Sequence, residues 1–145
     1  MKGVWTTILA VVVVDQSIKL MLRRVMGNGA FALGPCGSVR VVAGQIWLNR
    51  IGRKSTGLTV MWCVWLVAAA ALILCNELAP LNAFFVGLLL GASLSHAVES
   101  SLRGWVTDYV CLRSWPAFNL ADLALAAGMF GIMVELVIIL YQKAF

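Results

Sequence analysis

The chain has 145 residues, of which 62% are hydrophobic and 12% are charged, and its mean hydropathy is +0.96. Soluble domains carry about 25% charged residues, so this composition excludes a soluble globular domain and indicates that the solvent is lipid. The formal net charge of +5 would suggest a nucleic-acid partner in a soluble protein, but no nucleic-acid partner is predicted for a chain this apolar.

Four apolar segments follow one another along the chain, at residues 4–22, 58–75, 81–98 and 118–141. Each is close to the roughly 20 residues that a membrane-spanning helix needs. We therefore predict an all-α integral membrane protein with one polytopic domain over residues 1–145 and no soluble module.

The first segment contains two charged residues, Asp15 and Lys19, four positions apart. This spacing with the acid first is the favourable order for an ion pair on one helical face, and we predict a self-satisfied pair at the membrane edge. The segment lacks a small-residue cleavage site, so it is predicted to remain in the protein rather than to act as a signal peptide.

The loop after the first segment is predicted to combine irregular backbone with a small β-structure. Residues 25–37 are rich in glycine and contain a proline, which favours irregular backbone. Two short runs with alternating apolar residues follow, separated by Ala43-Gly44: Val39/Val41 and Ile46/Leu48. This pattern is typical of a hairpin or cradle.

The four cysteines give no CxxC or CxxH spacing, so no metal site is predicted from them. Cys36 and Cys111 lie in the loops after the first and third segments, on the same side of the membrane. We predict two free thiols, with a disulfide as the alternative if that side is oxidising.

The third segment ends in GASLSHAVES, which offers Ser93, Ser95, His96 and Glu99. A serine peptidase is one alternative, but serine and histidine this close in one helix form a poor nucleophile–base pair, and the chain has no G-x-S-x-G elbow. His96 and Glu99 form at best half a metal site, with no other histidine in the chain to complete it. We predict that His96 is a polar bundle residue bonded to Glu99 or to a loop carbonyl.

Two of the six acidic residues lie on either side of a Trp-Pro turn before the fourth segment, in GWVTDYVCLRSWPAFNLAD. Asn119 and Asp122 fit a helix N-cap followed by an acid at the third helical position, and Asp108 fits a solvated loop. Two carboxylates at one partly desolvated site can instead share a proton, so that one acts as base toward water and the other as acid toward a carbonyl. Such chemistry needs no metal and no cofactor.

The motifs GWVTDY at 104–109 and FNLAD at 118–122 resemble those of the lipoprotein signal peptidase (signal peptidase II) family, and DQSIK at 15–19 is similar to the D-Q-x-x-K of its first helix. The resemblance spans nearly the whole chain. It implies four transmembrane helices, a small extracytoplasmic β-cradle between the first and second, and both termini in the cytoplasm of a bacterial inner membrane. It also implies that Asp108 and Asp122 are the catalytic pair of an aspartic endopeptidase, which cleaves prolipoprotein signal peptides before a diacylglyceryl-modified cysteine.

The chain departs from the family pattern at positions expected to hold the substrate. Arg53 stands near an expected asparagine before the second helix, and His96, Glu99 and Ser100 replace the asparagine, aspartate and arginine of G-N-x-x-D-R. A missing positive charge could come from Arg53 or Arg103. The substrate-binding and supporting residues that the resemblance implies are Asn119, His96, Arg53, Asp15 and Lys19.

Because of these departures, an alternative function remains open, in which the chain is a non-catalytic lipoprotein-binding paralogue with the same fold. The retention of both aspartates favours the peptidase, because a binding protein has no use for two close acids that destabilise the fold when both are charged. The predicted partners are a prolipoprotein with a diacylglyceryl cysteine and membrane lipids, and the protein is expected to be a monomer.

The distribution of basic residues disagrees with the orientation that the resemblance implies. Eight of them lie in the loops after the first and third segments: Arg23, Arg24, Arg40, Arg50, Arg53, Lys54, Arg103 and Arg113. The positive-inside rule places these loops in the cytoplasm, whereas the resemblance places them outside. We prefer the orientation that the motifs imply, because the rule is a statistical bias with exceptions.

Overall fold

The computed structural model describes residues 2–27, 29–44, 62–63, 65–67, 69–71 and 81–144. In chain order the elements are α1 (Lys2–Met26), β1 (Ala30–Ala32), a 3-10 turn (Gly34–Cys36), β2 (Gly37–Gly44), α2 (Ala83–Arg103), β3 (Val106–Leu112) and α3 (Leu120–Ala144). α1, α2 and α3 run over the first, third and fourth apolar segments. The second segment is helical at 62–63, 65–67 and 69–71, and its remainder lies outside the described residues, as do Arg53 and the Ile46/Leu48 run.

Within the described part of the chain, three helices are long and apolar enough to cross a membrane. α3 exposes large apolar side chains along its length, including Met129, Phe130, Met133 and Val137. An exposed apolar surface of this extent is stable in lipid and not in water. The prediction of a helical membrane protein is therefore confirmed, with three of the four predicted spans described.

Small residues let α2 pack closely against both of its neighbours. A Cβ atom at Gly87 would lie 2.5 Å from Thr7 Cβ of α1, and one at Gly128 of α3 would lie 2.7 Å from the backbone nitrogen of Leu89. Such close backbone approach is how membrane helices gain van der Waals contact without a hydrophobic driving force. α1 and α2 run in parallel, because Thr7 lies beside Gly87 and Arg23 beside Glu99. α3 runs antiparallel to α2, because Gly128 lies beside Leu89 and Glu135 beside Asn82.

Glu135 of α3 fixes the end of the bundle that lies away from the sheet. Its Oε2 accepts a hydrogen bond from the Asn82 backbone nitrogen at 2.9 Å, while the Asn82 side chain caps α2 by accepting from Phe84 N at 2.9 Å. The Glu135 carboxylate therefore contacts the start of the neighbouring helix.

A three-stranded antiparallel sheet in the order β1-β2-β3 closes the other end of the bundle. β1 and β2 lie between the first and second apolar segments, in the loop where a cradle was predicted. The sequence interpretation of residues 25–37 as irregular was wrong in part, because β1 and the 3-10 turn lie there. Cys36 and Cys111 near this sheet are free thiols.

The third strand is the main correction to the predicted fold. Gly104 adopts a left-handed conformation with φ of 77° and ends α2 by donating from its backbone nitrogen to Ser100 O at 2.8 Å, a conformation that glycine adopts without steric cost. The chain then enters β3, where Asp108 pairs with Val42 of β2. Asp108 is therefore a strand residue rather than a solvated loop residue.

Candidate active site

Four charged residues form a buried ion network between α1 and α2: Asp15, Lys19, Arg23 and Glu99. Lys19 Nζ lies 2.7 Å from Asp15 Oδ2 and 2.9 Å from Glu99 Oε2, and the side chains of all three have no solvent exposure. Arg23 Nη1 lies 2.7 Å from Glu99 Oε1. The predicted pair of Asp15 and Lys19 is confirmed, but it is enclosed by the bundle and does not satisfy itself, because Lys19 also pairs with Glu99.

Arg23 is the member of this network that the sequence interpretation missed. It lies four residues beyond Lys19, so it continues the helical face of DQSIK, and this spacing is the signal that could have found it. Ser100, at the place of the expected arginine, donates to the His96 carbonyl of its own helix at 2.6 Å. The positive charge beside Glu99 therefore comes from α1, and not from Arg103.

The ion network reaches β3 through Thr107, the residue before Asp108. Glu99 Oε2 accepts from the Thr107 backbone nitrogen at 3.1 Å, and the Thr107 hydroxyl donates to Glu99 Oε1 at 2.5 Å. Arg23 Nη1 also lies 2.7 Å from Thr107 Oγ1. Because Thr107 is fully buried, these contacts fix the backbone from which Asp108 projects.

The start of α3 is held by side chains from three elements. Asn119 Oδ1 accepts from Asp122 N at 3.1 Å and Asp122 Oδ2 accepts from Asn119 N at 2.8 Å, so the predicted capping arrangement is confirmed. Tyr109 Oη accepts from Leu120 N at 2.9 Å, and Asp15 Oδ1 accepts from Ala121 N at 3.1 Å. The amides that a helix start leaves without partners are thus satisfied.

Asn119 joins the two aspartates that the sequence singled out. Its Nδ2 donates to Asp108 Oδ1 at 2.8 Å, while its Oδ1 accepts from the backbone nitrogen of Asp122. Burial raises the pKa of the Asp108 carboxyl above its ordinary value of 3.8, the Asn119 hydrogen bond opposes this, and the negative charge of Asp122 raises the pKa again. The Asp122 side chain is 39% exposed, so water can reach it.

β2 contributes a close backbone contact that the sequence did not indicate. A Cβ atom at Gly44 would collide with Oδ2 of Asp108 and would lie 3.0 Å from the carbonyl oxygen of Val106. A side chain at this position would therefore displace the Asp108 carboxylate.

His96 lies beside the aspartates rather than in the environment predicted for it. Its Nε2 is 3.2 Å from Asn119 Oδ1 and 3.5 Å from Asp122 Oδ1, so within the described residues this nitrogen faces the start of α3 rather than Glu99. The hydroxyl of Ser95 donates to Asp15 Oδ2 at 2.6 Å and that of Ser93 donates to Leu89 O at 2.8 Å. Neither serine donates to His96, which disfavours the serine-peptidase alternative.

The site therefore contains Asp108, Asp122 and His96, which are partly exposed, and Asn119, which is buried beside them. Asp15 and Lys19 are buried behind these residues. Two partly buried carboxylates that both accept hydrogen bonds from Asn119 can share a proton and divide the work of acid and base. Of the residues that the sequence placed in the site, Arg53 lies outside the described residues.

Comparison with known proteins gives consistent results over most of the chain. The family model described as signal peptidase (SPase) II matches residues 7–138. The lipoprotein signal peptidase of Syntrophomonas wolfei is 27% identical, with 96% of this chain and 94% of that protein covered. That of a Methylobacterium species is 30% identical, with 90% and 86% covered.

The fold agrees with a solved structure as well. A structure described as a bacterial membrane enzyme superposes with a TM-score of 0.76 at 19% sequence identity, over 94% of this chain and 93% of that chain. At this level of identity the likeness concerns the fold.

Proposed function

Because the chain belongs to the signal peptidase II family, we propose that it is an intramembrane aspartic endopeptidase that removes the signal peptide of a prolipoprotein. Cleavage occurs before a diacylglyceryl-modified cysteine, and Asp108 and Asp122 carry out the reaction. The observation that carries the proposal is the placement of Asn119, whose side chain is bonded to the Asp108 carboxylate and to the backbone of Asp122. This placement brings the two acids, on β3 and α3, to one site.

In the proposed reaction the two carboxyl groups share one proton before the substrate is attacked. The ionised carboxylate removes a proton from water as the water oxygen bonds to the scissile carbonyl carbon, and the protonated carboxyl gives its proton to the carbonyl oxygen. The resulting gem-diol collapses when the first carboxyl returns its proton to the peptide nitrogen, the C–N bond breaks, and the second takes a proton from a diol hydroxyl. The products are an acid and an amine, and both carboxyl groups recover their starting states.

The remaining site residues support this reaction in different ways. Asn119 orients both acids directly, and Asp15 holds the start of α3 by accepting from Ala121 N. Lys19 neutralises Asp15 and Glu99 inside the bundle. Since Asp15 and Lys19 have no exposed surface and Asn119 has 1%, their role is to support the fold of the site, and contact with the substrate is left to His96 and Arg53.

The proposed orientation places the sheet and both aspartates on the extracytoplasmic side of the inner membrane, with both termini in the cytoplasm. The family resemblance supports it, and the basic loops oppose it. A reporter fused after residue 145 tests the orientation. Activity of a reporter that works only in the cytoplasm supports it, and activity of one that works only outside overturns it.

The experiment that tests the function compares cleavage of a diacylglyceryl-cysteine precursor by the wild type, Asp108→Asn, Asp122→Asn and the double variant. Asparagine is close to aspartate in size and keeps an acceptor oxygen, so the capping contacts of Asn119 are retained. We expect each single variant to lose almost all cleavage, with the double variant little worse, because residues acting as a unit are strongly non-additive.

A matched control is Glu135→Gln, which neutralises an acid of α3 at the far end of the bundle, and it should cleave at the wild-type rate. If Asp122→Asn still cleaves near the wild-type rate, the two carboxylates are not the catalytic pair. Crosslinking of the precursor to a wild-type protein that shows no turnover would identify the lipoprotein-binding alternative.

A further inference from the structure

The only histidine of the chain is directed at one of the two aspartates. The orientation of the Asn119 amide is set by Asp122 N, which donates to its Oδ1, since a flipped amide would place two donors against each other. Oδ1 is therefore an acceptor toward His96, and Nε2 of His96 must carry a hydrogen to donate to it at 3.2 Å. The same Nε2 lies 3.5 Å from Asp122 Oδ1.

The two carboxylates receive unequal support for a negative charge. Asp122 Oδ2 accepts from Asn119 N, and its Oδ1 faces His96 Nε2. Asp108 accepts from Asn119 Nδ2 and lies against the backbone of Gly44. Burial also raises the pKa of Asp108, whereas Asp122 is open to water. Asp122 therefore has a nitrogen donor beside each of its carboxylate oxygens, whereas Asp108 accepts at Oδ1 from Asn119, and the charge of His96 also lowers the pKa of Asp108.

Within the described residues, the charged groups near His96 lie on four elements, one of which is its own helix. α3 contributes Asp122 and β3 contributes Asp108. The ion network lies on α1 and on the helix of His96 itself, and it contains two acids and two bases, so it adds no net charge. A protonated imidazole at this site would therefore meet a local surplus of negative charge, which comes from the two aspartates.

We propose that His96 is a positioning residue that keeps Asp122 as the ionised carboxylate and thereby assigns the shared proton to Asp108. This inference rests on the proposed function. Asp122 is then the base that activates water, and Asp108 is the acid that protonates the carbonyl oxygen. The Nε2–H group faces Asp122 whether the imidazole is neutral or protonated. Protonation at Nδ1 makes the ring positively charged and so strengthens its attraction to the Asp122 carboxylate.

The pH dependence of cleavage tests the inference, because a purely structural role would not move it. The reaction stops at low pH, when the catalytic base becomes protonated. A neighbouring imidazolium disfavours this protonation, so the loss of activity occurs at a lower pH. His96→Asn removes the charge and keeps an amide donor. In this variant we expect the acid limb of the kcat/KM profile to move to higher pH by roughly one unit. This is the shift expected from the interaction of two charges 3.5 Å apart with water-like screening. Arg113→Gln, which removes an exposed positive charge near the sheet, should leave the limb in place.

A second measurement does not depend on activity or on a variant of His96. The chain has one histidine, so its ring protons give a single signal in a pH titration by NMR in detergent. Replacing Asp122 by asparagine should lower the midpoint of that titration by roughly one pH unit, and Glu135→Gln should not change it.

The outcomes separate this inference from the proposed function. Superimposable pH profiles of wild type and His96→Asn, or an unchanged NMR midpoint in Asp122→Asn, overturn the role of His96 while leaving the aspartic mechanism intact. Cleavage that survives in Asp122→Asn overturns the mechanism itself. If His96→Asn does not fold, the NMR titration decides.

Discussion

Replacing Arg23 by methionine tests whether one arginine of α1 fixes the position of Asp108 on β3. Arg23 Nη1 lies 2.7 Å from Glu99 Oε1 and 2.7 Å from Thr107 Oγ1, and Thr107 precedes Asp108 in the chain. Methionine keeps a long apolar stem and removes the guanidinium group. The substitution therefore isolates the contribution of the charged contact.

The remaining contacts of Glu99 set the size of the expected loss. Removing one partner of a buried ion pair costs about 3–5 kcal/mol. Glu99 keeps Lys19 Nζ at 2.9 Å and the Thr107 backbone nitrogen at 3.1 Å, and the Arg23 side chain is 14% exposed. We therefore expect the free energy of unfolding to fall by about 2 kcal/mol, below the range for a pair left without other partners.

Thermal unfolding in detergent micelles, followed by tryptophan fluorescence, measures this loss. A fall of about 2 kcal/mol corresponds to a decrease of about 5 °C in Tm for a chain of this size. Arg24→Met is the matched control, because Arg24 is the next residue and is exposed, and its effect should stay within about 0.5 kcal/mol. Cleavage by Arg23→Met should fall between about 10-fold and 100-fold, since small displacements of a reacting group cost this much.

Two results would contradict this reasoning. Equal Tm values and equal cleavage rates for the two methionine variants would show that Lys19 and Thr107 hold Glu99 without help from Arg23. A lower Tm with an unchanged cleavage rate would show that the network supports the bundle but does not position Asp108.

Three further substitutions address the site and its frame. Gly44→Ala should reduce cleavage by at least about 10-fold, because its Cβ collides with the Asp108 carboxylate, and a rate equal to that of the exposed control Ala43→Ser would refute the contact. The Tm of Asp108→Asn relative to that of the wild type should increase from pH 4 to pH 7. Burial raises the pKa of Asp108 from 3.8, so ionisation of this acid destabilises the folded wild type as the pH rises through that window. An equal difference in Tm at pH 4 and at pH 7 would contradict this. Glu135→Ala should lower the free energy of unfolding by about 1 kcal/mol through loss of the Asn82 contact while leaving cleavage unchanged, and unaltered Tm would show that water replaces the carboxylate.

The features that the sequence predicted correctly depend on residues close together in the chain. The pairing of Asp15 with Lys19 and the capping of α3 by Asn119 and Asp122 follow from spacings of four and three residues, which a helix converts into contacts. The apolar segments are likewise read from local composition. These features need no knowledge of how the helices pack.

The features that the sequence did not predict depend on contacts between distant elements. β3 was missed because Asp108 pairs with Val42, 66 residues earlier, and a short strand beside a turn has no strong pattern of its own. Glu99 meets Arg23 across 76 residues. Their encounter requires α1 and α2 to pack against each other in one particular register, which no local pattern in either helix specifies.

The first turn of α3 depends on elements that precede it in the chain. The amides of Leu120 and Ala121 depend on acceptors from β3 and α1, and α3 follows both elements in the chain. The first turn of α3, and with it the Asp122 carboxylate, is therefore completed only after the earlier helices and the sheet have come together in the bilayer. If the two aspartates are the catalytic pair, cleavage is expected only from chains in which α1, β3 and α3 have already come together.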